Sequence, residues 1–137
     1  MFKFRGQRVD NKEWVEGYHV FDKFENKHYM QIPVSDKDFD SYFEITPNTL
    51  SISTGQFDKN KIEIFGSIPL EDGAMSNGGD KLQCVSQNEF SKGDISTRNV
   101  IYSGSSFHIE GTYMGLSEFL NYGKCTIIGK QCDEAQK

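Results

Sequence analysis

No stretch of this chain is apolar for long enough to cross a bilayer, and its opening Met1-Phe2-Lys3-Phe4-Arg5 lacks the hydrophobic run of a secretion signal. Both absences predict a cytoplasmic protein with no membrane partner. Cysteine is scarce and odd in number, with Cys84, Cys125 and Cys132 only. No two of them stand about two residues apart, which excludes a zinc knuckle and a dithiol redox motif. The expectation is three reduced thiols, with Cys84 and Cys125 packed as small hydrophobes in strand-like runs. Basic residues are also short, 15 against 20 acids, for a net charge of −5. Phosphate binding draws its affinity from clustered Lys and Arg, so a broad coat of nucleic acid is excluded. A local patch is not, because Lys3, Arg5, Arg8 and Lys12 face only Asp10 within the first twelve residues. Lys3, Arg5 and Arg8 are therefore candidate nucleic-acid contacts. The plainer alternative is a charged strand edge that discourages edge-to-edge pairing.

Signatures of chemistry are missing as well. There is no nucleophile elbow and no phosphate-cradling Gly-x-x-x-x-Gly-Lys-Ser/Thr loop, and Gly78-Gly79-Asp80-Lys81 reads as a turn. The three histidines, His19, His28 and His108, each sit inside a strand-like run, the setting of a packing residue rather than of a base. Asp36, Asp38 and Asp40 alternate in a polar loop, but counting from Asp36 puts Ser41 and Pro47 where a calcium loop needs Gly and Glu. A solvated loop fits better. The sequence predicts no catalytic residue, no metal site and no cofactor, and hence a protein that is not an enzyme.

What the chain does have is alternation. The stretch Leu50 to Ile68 holds two alternating apolar runs around the polar tetrapeptide Asp58-Lys59-Asn60-Lys61, a strand, turn and returning strand. Short strands lead in at Phe2–Phe4, Trp14–Phe21, His28–Val34 and Tyr42–Ile45, with a bulge or close backbone approach at Gly17. A loop from 69 to 80 follows, then strands near Lys81–Val85, Val100–Tyr102, Phe107–Tyr113 and Lys124–Gly129. Residues 86–99 carry no clear period. One segment, Leu116 to Tyr122, has helical spacing, with Gly123 placed as a left-handed terminator, and Lys130 to Lys137 reads as a frayed polar tail. The fold class is mainly β, with small barrel-like sheets and this one short helix. It forms a single domain over 1–137, or two small all-β subdomains that divide in the loop 69–80.

Only 36% of residues are hydrophobic, against 13% aromatic. Trp14, Tyr18, Phe21, Tyr29, Tyr42 and Phe43 can supply a core from few positions, or can present a face that stacks bases or a proline-rich peptide. A thin core and many short strands favour strand exchange or edge pairing between copies.

Several motifs in order carry a resemblance. Phe2-Lys3-Phe4-Arg5-Gly6 followed by Trp14-Val15-Glu16-Gly17-Tyr18, then Pro47-Asn48-Thr49-Leu50, Thr54-Gly55-Gln56-Phe57-Asp58-Lys59-Asn60, Ile64-Phe65 and Ile127-Ile128-Gly129, resemble the YopX family of phage and prophage proteins. Departures include Lys61 in place of the turn glycine and a Gly-Asp pair displaced to Gly79-Asp80, the marks of a divergent branch, from gut bacteria or their phages. The resemblance implies a cytoplasmic protein of a bacterial host that forms homo-oligomers, and it brings no catalytic residues with it. The reading that follows is a non-enzymatic, self-associating binding or assembly module. The alternatives are a nucleic-acid-binding module using Lys3, Arg5 and Arg8, and an enzyme whose site the sequence does not reveal.

Overall fold

The computed structural model describes residues 3–32, 41–87, 90, 92–112 and 114–135. The loop bearing Pro33, Asp36, Asp38 and Asp40 lies outside them. Ten strands follow in order: β1 (Phe4–Gln7), β2 (Trp14–Asp22), β3 (Lys27–Ile32), β4 (Ser41–Ile45), β5 (Ser51–Phe57), β6 (Glu63–Ser67), β7 (Asp80–Ser86), β8 (Ile95–Ser103), β9 (Ser106–Ile109) and β10 (Gly123–Lys130). Among the described residues there are also two α-helices, α1 (Leu116–Tyr122) and α2 (Gln131–Ala135), and a 3-10 turn at Pro47–Thr49. The protein is mainly β.

The strands lie in one mixed sheet, β10-β7-β8-β6-β5-β1-β2-β3-β4, with β9 also on β8. All pairings are antiparallel except β6 with β8, which meet through the single pair Ser67↔Ile101. The barrel-like expectation is thereby corrected, because this sheet is open. One end curls: Val9 N–H donates to Glu44 O at 2.9 Å and Thr46 N–H to Gln7 O at 3.0 Å, returning β4 to the end of β1. A contact that short turns the sheet without closing it. The close approach expected at Gly17 is present, since a Cβ there would stand 2.3 Å from Gln31 O.

β8 is where the sheet changes partners. Its first half pairs with β7, from Val85↔Ile95 to Lys81↔Asn99, and its second half with β9, from Val100↔Ile109 to Ser103↔Ser106. Two apolar clusters lie along the sheet. One joins Met30, Ile45, Leu50, Ile52 and Ile68, the other Ile64, Leu82, Val100, Ile109, Leu116 and Phe119, and Phe107 packs against both. The core is thus largely aliphatic. None of the six early aromatics is buried, and Tyr42 is exposed.

The hairpin read around Asp58–Lys61 is held by one side chain. Asp58, nearly buried, accepts from Asn60 N–H and Ile62 N–H on Oδ1 at 2.8 and 2.9 Å. Its Oδ2 accepts from Ile127 N–H at 3.0 Å, while Lys59 N–H donates to Cys125 O at 2.9 Å. The turn therefore caps the outer edge of β10.

Three local expectations change. Gly123 is the first residue of β10 with φ −172°, not a left-handed terminator, and the reason for glycine is space: a Cβ would lie 2.0 Å from Val85 O. The polar tail contains α2, whose Gln131 and Cys132 are buried. Cys84 and Cys125 are not free thiols. They stand directly opposite in the β7–β10 register and form a disulfide with Cα atoms 4.1 Å apart, leaving Cys132 free and buried. An odd count argued against pairing, but pairing depends on register, which a count does not contain.

The bridge closes a loop spanning a separation of 41 residues, and chain entropy assigns such a loop about 4 kcal/mol. Denaturant unfolding with and without reductant is expected to differ by a stability of that order, and the Cys84→Ala/Cys125→Ala double variant is expected to show no reductant effect.

Candidate functional site

Alternation along β1 puts Lys3 and Arg5 on one face and Arg8 on the other. Each cation has a carboxylate. Lys3 Nζ lies 2.5 Å from Glu63 and 3.7 Å from Glu16, and the Glu63 hydrogen bond raises its pKa above the ordinary lysine value. Arg8 donates to both oxygens of Asp10, at 2.9 and 2.6 Å, with its guanidinium 3.8 Å from the Phe43 ring centre. Arg5 is only 11% exposed in its side chain and is committed inside the fold: Nη2 donates to Asp80 Oδ1 at 2.9 Å and to Gly78 O at 2.7 Å, and the guanidinium lies over Phe65. Burial pushes the Asp80 carboxyl above its ordinary range even with Arg5 beside it. The three candidate contacts thus do not form one basic face.

A second cluster joins two of the histidines. Strand pairing sets Phe21 opposite His28 and His19 opposite Met30. His19 Nε2 and His28 Nδ1 are 2.7 Å apart, and His28 Nε2 lies 2.5 Å from Glu71 Oε1. His28 is 2% exposed and packs on Phe21, while the His19 ring stacks on it and touches Phe4. Each imidazole can donate from one nitrogen and accept at the other, so His19 Nε2–H can donate to His28 Nδ1 while His28 Nε2–H donates to Glu71. Burial, with the neighbouring His28 charge, pushes the His19 pKa down to about 4. Among the described residues no three His, Cys, Asp or Glu side chains are grouped to hold a metal ion.

The third histidine opens onto a cleft of about 340 Å³ between the β8–β9 hairpin and α1, lined by Gln56, Ser106, Phe107, His108, Gly115, Leu116 and Ser117. Ser106 Oγ and His108 Nε2 are 2.8 Å apart, and Gln56 Nε2 donates to Ser117 Oγ at 2.6 Å. Two local rules bring these groups together. Ser106 and His108 are two apart on one strand and share a face. Gln56 is delivered by a bulge: β5 runs from Ser53 to Phe57 while β6 advances only from Phe65 to Glu63, and Gly55 takes φ +75° within it. Among the described residues no carboxylate touches His108, so the third member of a hydrolytic triad is not in place. Sequence reading missed this cleft, although a lone glycine inside an alternating run, here Gly55, is the signal of a bulge that redirects a side chain.

Two outcomes follow for these clusters. Removing either partner of the Arg5–Asp80 pair leaves a buried charge alone, so Arg5→Leu and Asp80→Leu are each expected to cost about 3–5 kcal/mol in urea unfolding. For His19 the unfolded value is about 6.5 and the folded value is lower, so the unfolded chain takes up the proton first. Stability is fully present above about pH 6.5 and drains as the pH falls toward 4. Urea midpoints across this range are expected to fall more steeply for the native chain than for His19→Gln.

No family model matches the chain, and no curated protein matches it. Among solved structures it is similar to the crystal structure of protein EF1440 from Enterococcus faecalis, at 18% identity and a TM-score of 0.55, with 100% of this chain and 99% of that chain covered. At that identity the likeness concerns the fold alone.

Proposed function

We propose that the chain acts by binding rather than by catalysis, as a self-associating module of the phage or prophage type. The observation that carries this reading is the open edge on the first half of β8. Glu110 N–H donates to Asn99 O at 2.9 Å, so Asn99 points its backbone toward the β9 side. Backbone groups alternate along a strand, so Thr97 and Ile95 point the same way. β9 pairs only with Val100–Ser103, and among the described residues no strand is paired with Ile95–Thr97 on that side. Residues 94–98 are all exposed, Ile95 at 64%, with Phe90 exposed in the adjoining turn.

A second copy can satisfy that edge. Antiparallel pairing of two β8 edges about a two-fold axis gives both chains the same contacts, the commonest geometry of homodimers, and strand addition obtains affinity from main-chain hydrogen bonds. The opposite end of this half-sheet is less available, because Asp58 and Lys59 already occupy β10. Motif order along the chain supports the phage or prophage assignment.

Light scattering behind a sizing column, at low and high salt, is expected to give a multiple of the monomer mass in both. Thr97→Pro removes a main-chain donor at the edge and Ile95→Glu places charge there. The double variant is expected to run as a folded monomer, with circular dichroism unchanged. A native chain that is monomeric in both salts sinks the reading.

A further inference from the structure

The join between β1, β5 and β6 contains two polar atoms that the protein itself does not satisfy. Arg5 pairs with Ser51 across β1 and β5, and Ser51 with Ser67 across β5 and β6. Residues directly opposite one another share a face of the sheet, so the three form one row with Ser51 in the middle. The backbone of Gly78 and Gly79 spans that row. Gly78 O accepts from Arg5 Nη2 at 2.7 Å, and Gly79 N–H donates to Ser67 Oγ at 2.9 Å. Ser51, Ser67, Gly78 and Gly79 are all buried. Ser67 Oγ also donates to Gln131 Oε1 at 2.9 Å. Arg5 Nε and Ser51 Oγ are buried too, and neither has a hydrogen-bond partner among the described residues.

Two such atoms on facing residues make one site. A buried donor left unpaired is costly, and protein interiors meet that need with ordered water, which bonds to about two to four polar groups. The chemistry of the pair selects the occupant. Arg5 Nε can only donate, whereas Ser51 Oγ can donate or accept, so the occupant must accept from Nε. Neither atom reaches the surface, so it is also enclosed and small. A small anion could accept from both donors. However, the Asp80 carboxylate, 2.9 Å from Nη2, already matches the Arg5 charge, and a second anion would leave an uncompensated charge in the interior. Water accepts from Nε, completes Ser51 and brings no charge. The join is internal to one chain, so this inference does not rest on self-association.

We propose that one buried water bridges Arg5 Nε and Ser51 Oγ beneath the Gly78–Gly79 backbone, as a fixed part of the join that carries the Arg5–Asp80 pair. A crystal structure of the full chain, at a resolution that shows ordered solvent, tests it. A solvent peak is expected about 2.7–3.2 Å from both atoms. In solution, the Arg5 Nε proton is expected to show a rotating-frame Overhauser peak to water with the sign of dipolar contact rather than of chemical exchange. Crystals soaked in bromide are expected to show no anomalous peak at the site. Ser51→Ala removes one of the two partners, and the occupancy of the solvent peak is expected to fall by about half or more. Should that variant misfold, the measurements on the native chain decide the matter. The proposal is overturned if no solvent peak lies within reach of both atoms, or if either atom is found bonded to a protein group instead. It is also overturned if the Arg5 Nε proton shows no dipolar contact with water, if bromide takes the position, or if Ser51→Ala keeps the peak at full occupancy.

Discussion

A single carboxylate holds the centre of this fold. Asp80 begins β7 at the place where β6, β7 and β8 converge, and it is 2% exposed. One oxygen takes Arg5 from β1 and the other takes Phe65 N–H from β6 at 2.8 Å. Its own carbonyl accepts from Gln131 Nε2, which also donates to Val100 O on β8. Ser67 Oγ donates to Gln131 Oε1 and accepts from Gly79 N–H. Strands that share only one bridging pair are thus joined by side chains instead of by a ladder. The arrangement has a cost, because Arg5 Nε and Ser51 Oγ, on cross-strand neighbours, are buried without a protein partner. A charge pair so enclosed fixes position more than it adds stability.

Most elements were legible because alternation is a local property. Trp14–Phe21, Leu50–Phe57 and Ile62–Ile68 read as strands from their own side chains, and Leu116–Tyr122 read as a helix from its apolar spacing. What escaped depends on who sits across from whom. Cys84 meets Cys125 only once β7 and β10 are in register. Gly123 looked like a helix terminator, yet its need for glycine comes from the Val85 carbonyl on the facing strand. Gln131 looked like the start of a solvated tail because hydropathy cannot see an amide that satisfies two backbone carbonyls.

The site residues show the same limit. Lys3, Arg5 and Arg8 form a basic cluster in a linear count, but Glu63, Asp80 and Asp10 neutralise them in space, two of those acids arriving from distant strands. His19 and His28 were legible as strand residues, and their coupling to each other and to Glu71 was not, since Glu71 lies 43 positions beyond His28. Gln56 carried a clue in the preceding glycine. Its partner Ser117 is 61 positions away, and no spacing rule spans that distance.

The capping of β10 by the Asp58 turn, described above as a structural detail, also bears on synthesis. A ribosome delivers β7 long before β10, and over the 41 residues between Cys84 and Cys125 the nascent chain carries a β7 that lacks β10 on one edge and a Cys84 thiol without its mate. Asp58 waits longer still, since the Ile127 amide it holds is 69 positions downstream. Long-range pairings of this kind are slow to form and leave strand edges bare meanwhile. The arrival of β10 therefore finishes the sheet, and a stalled or clipped product lacking it would leave the β7 backbone edge unpaired, the kind of edge that templates aggregation.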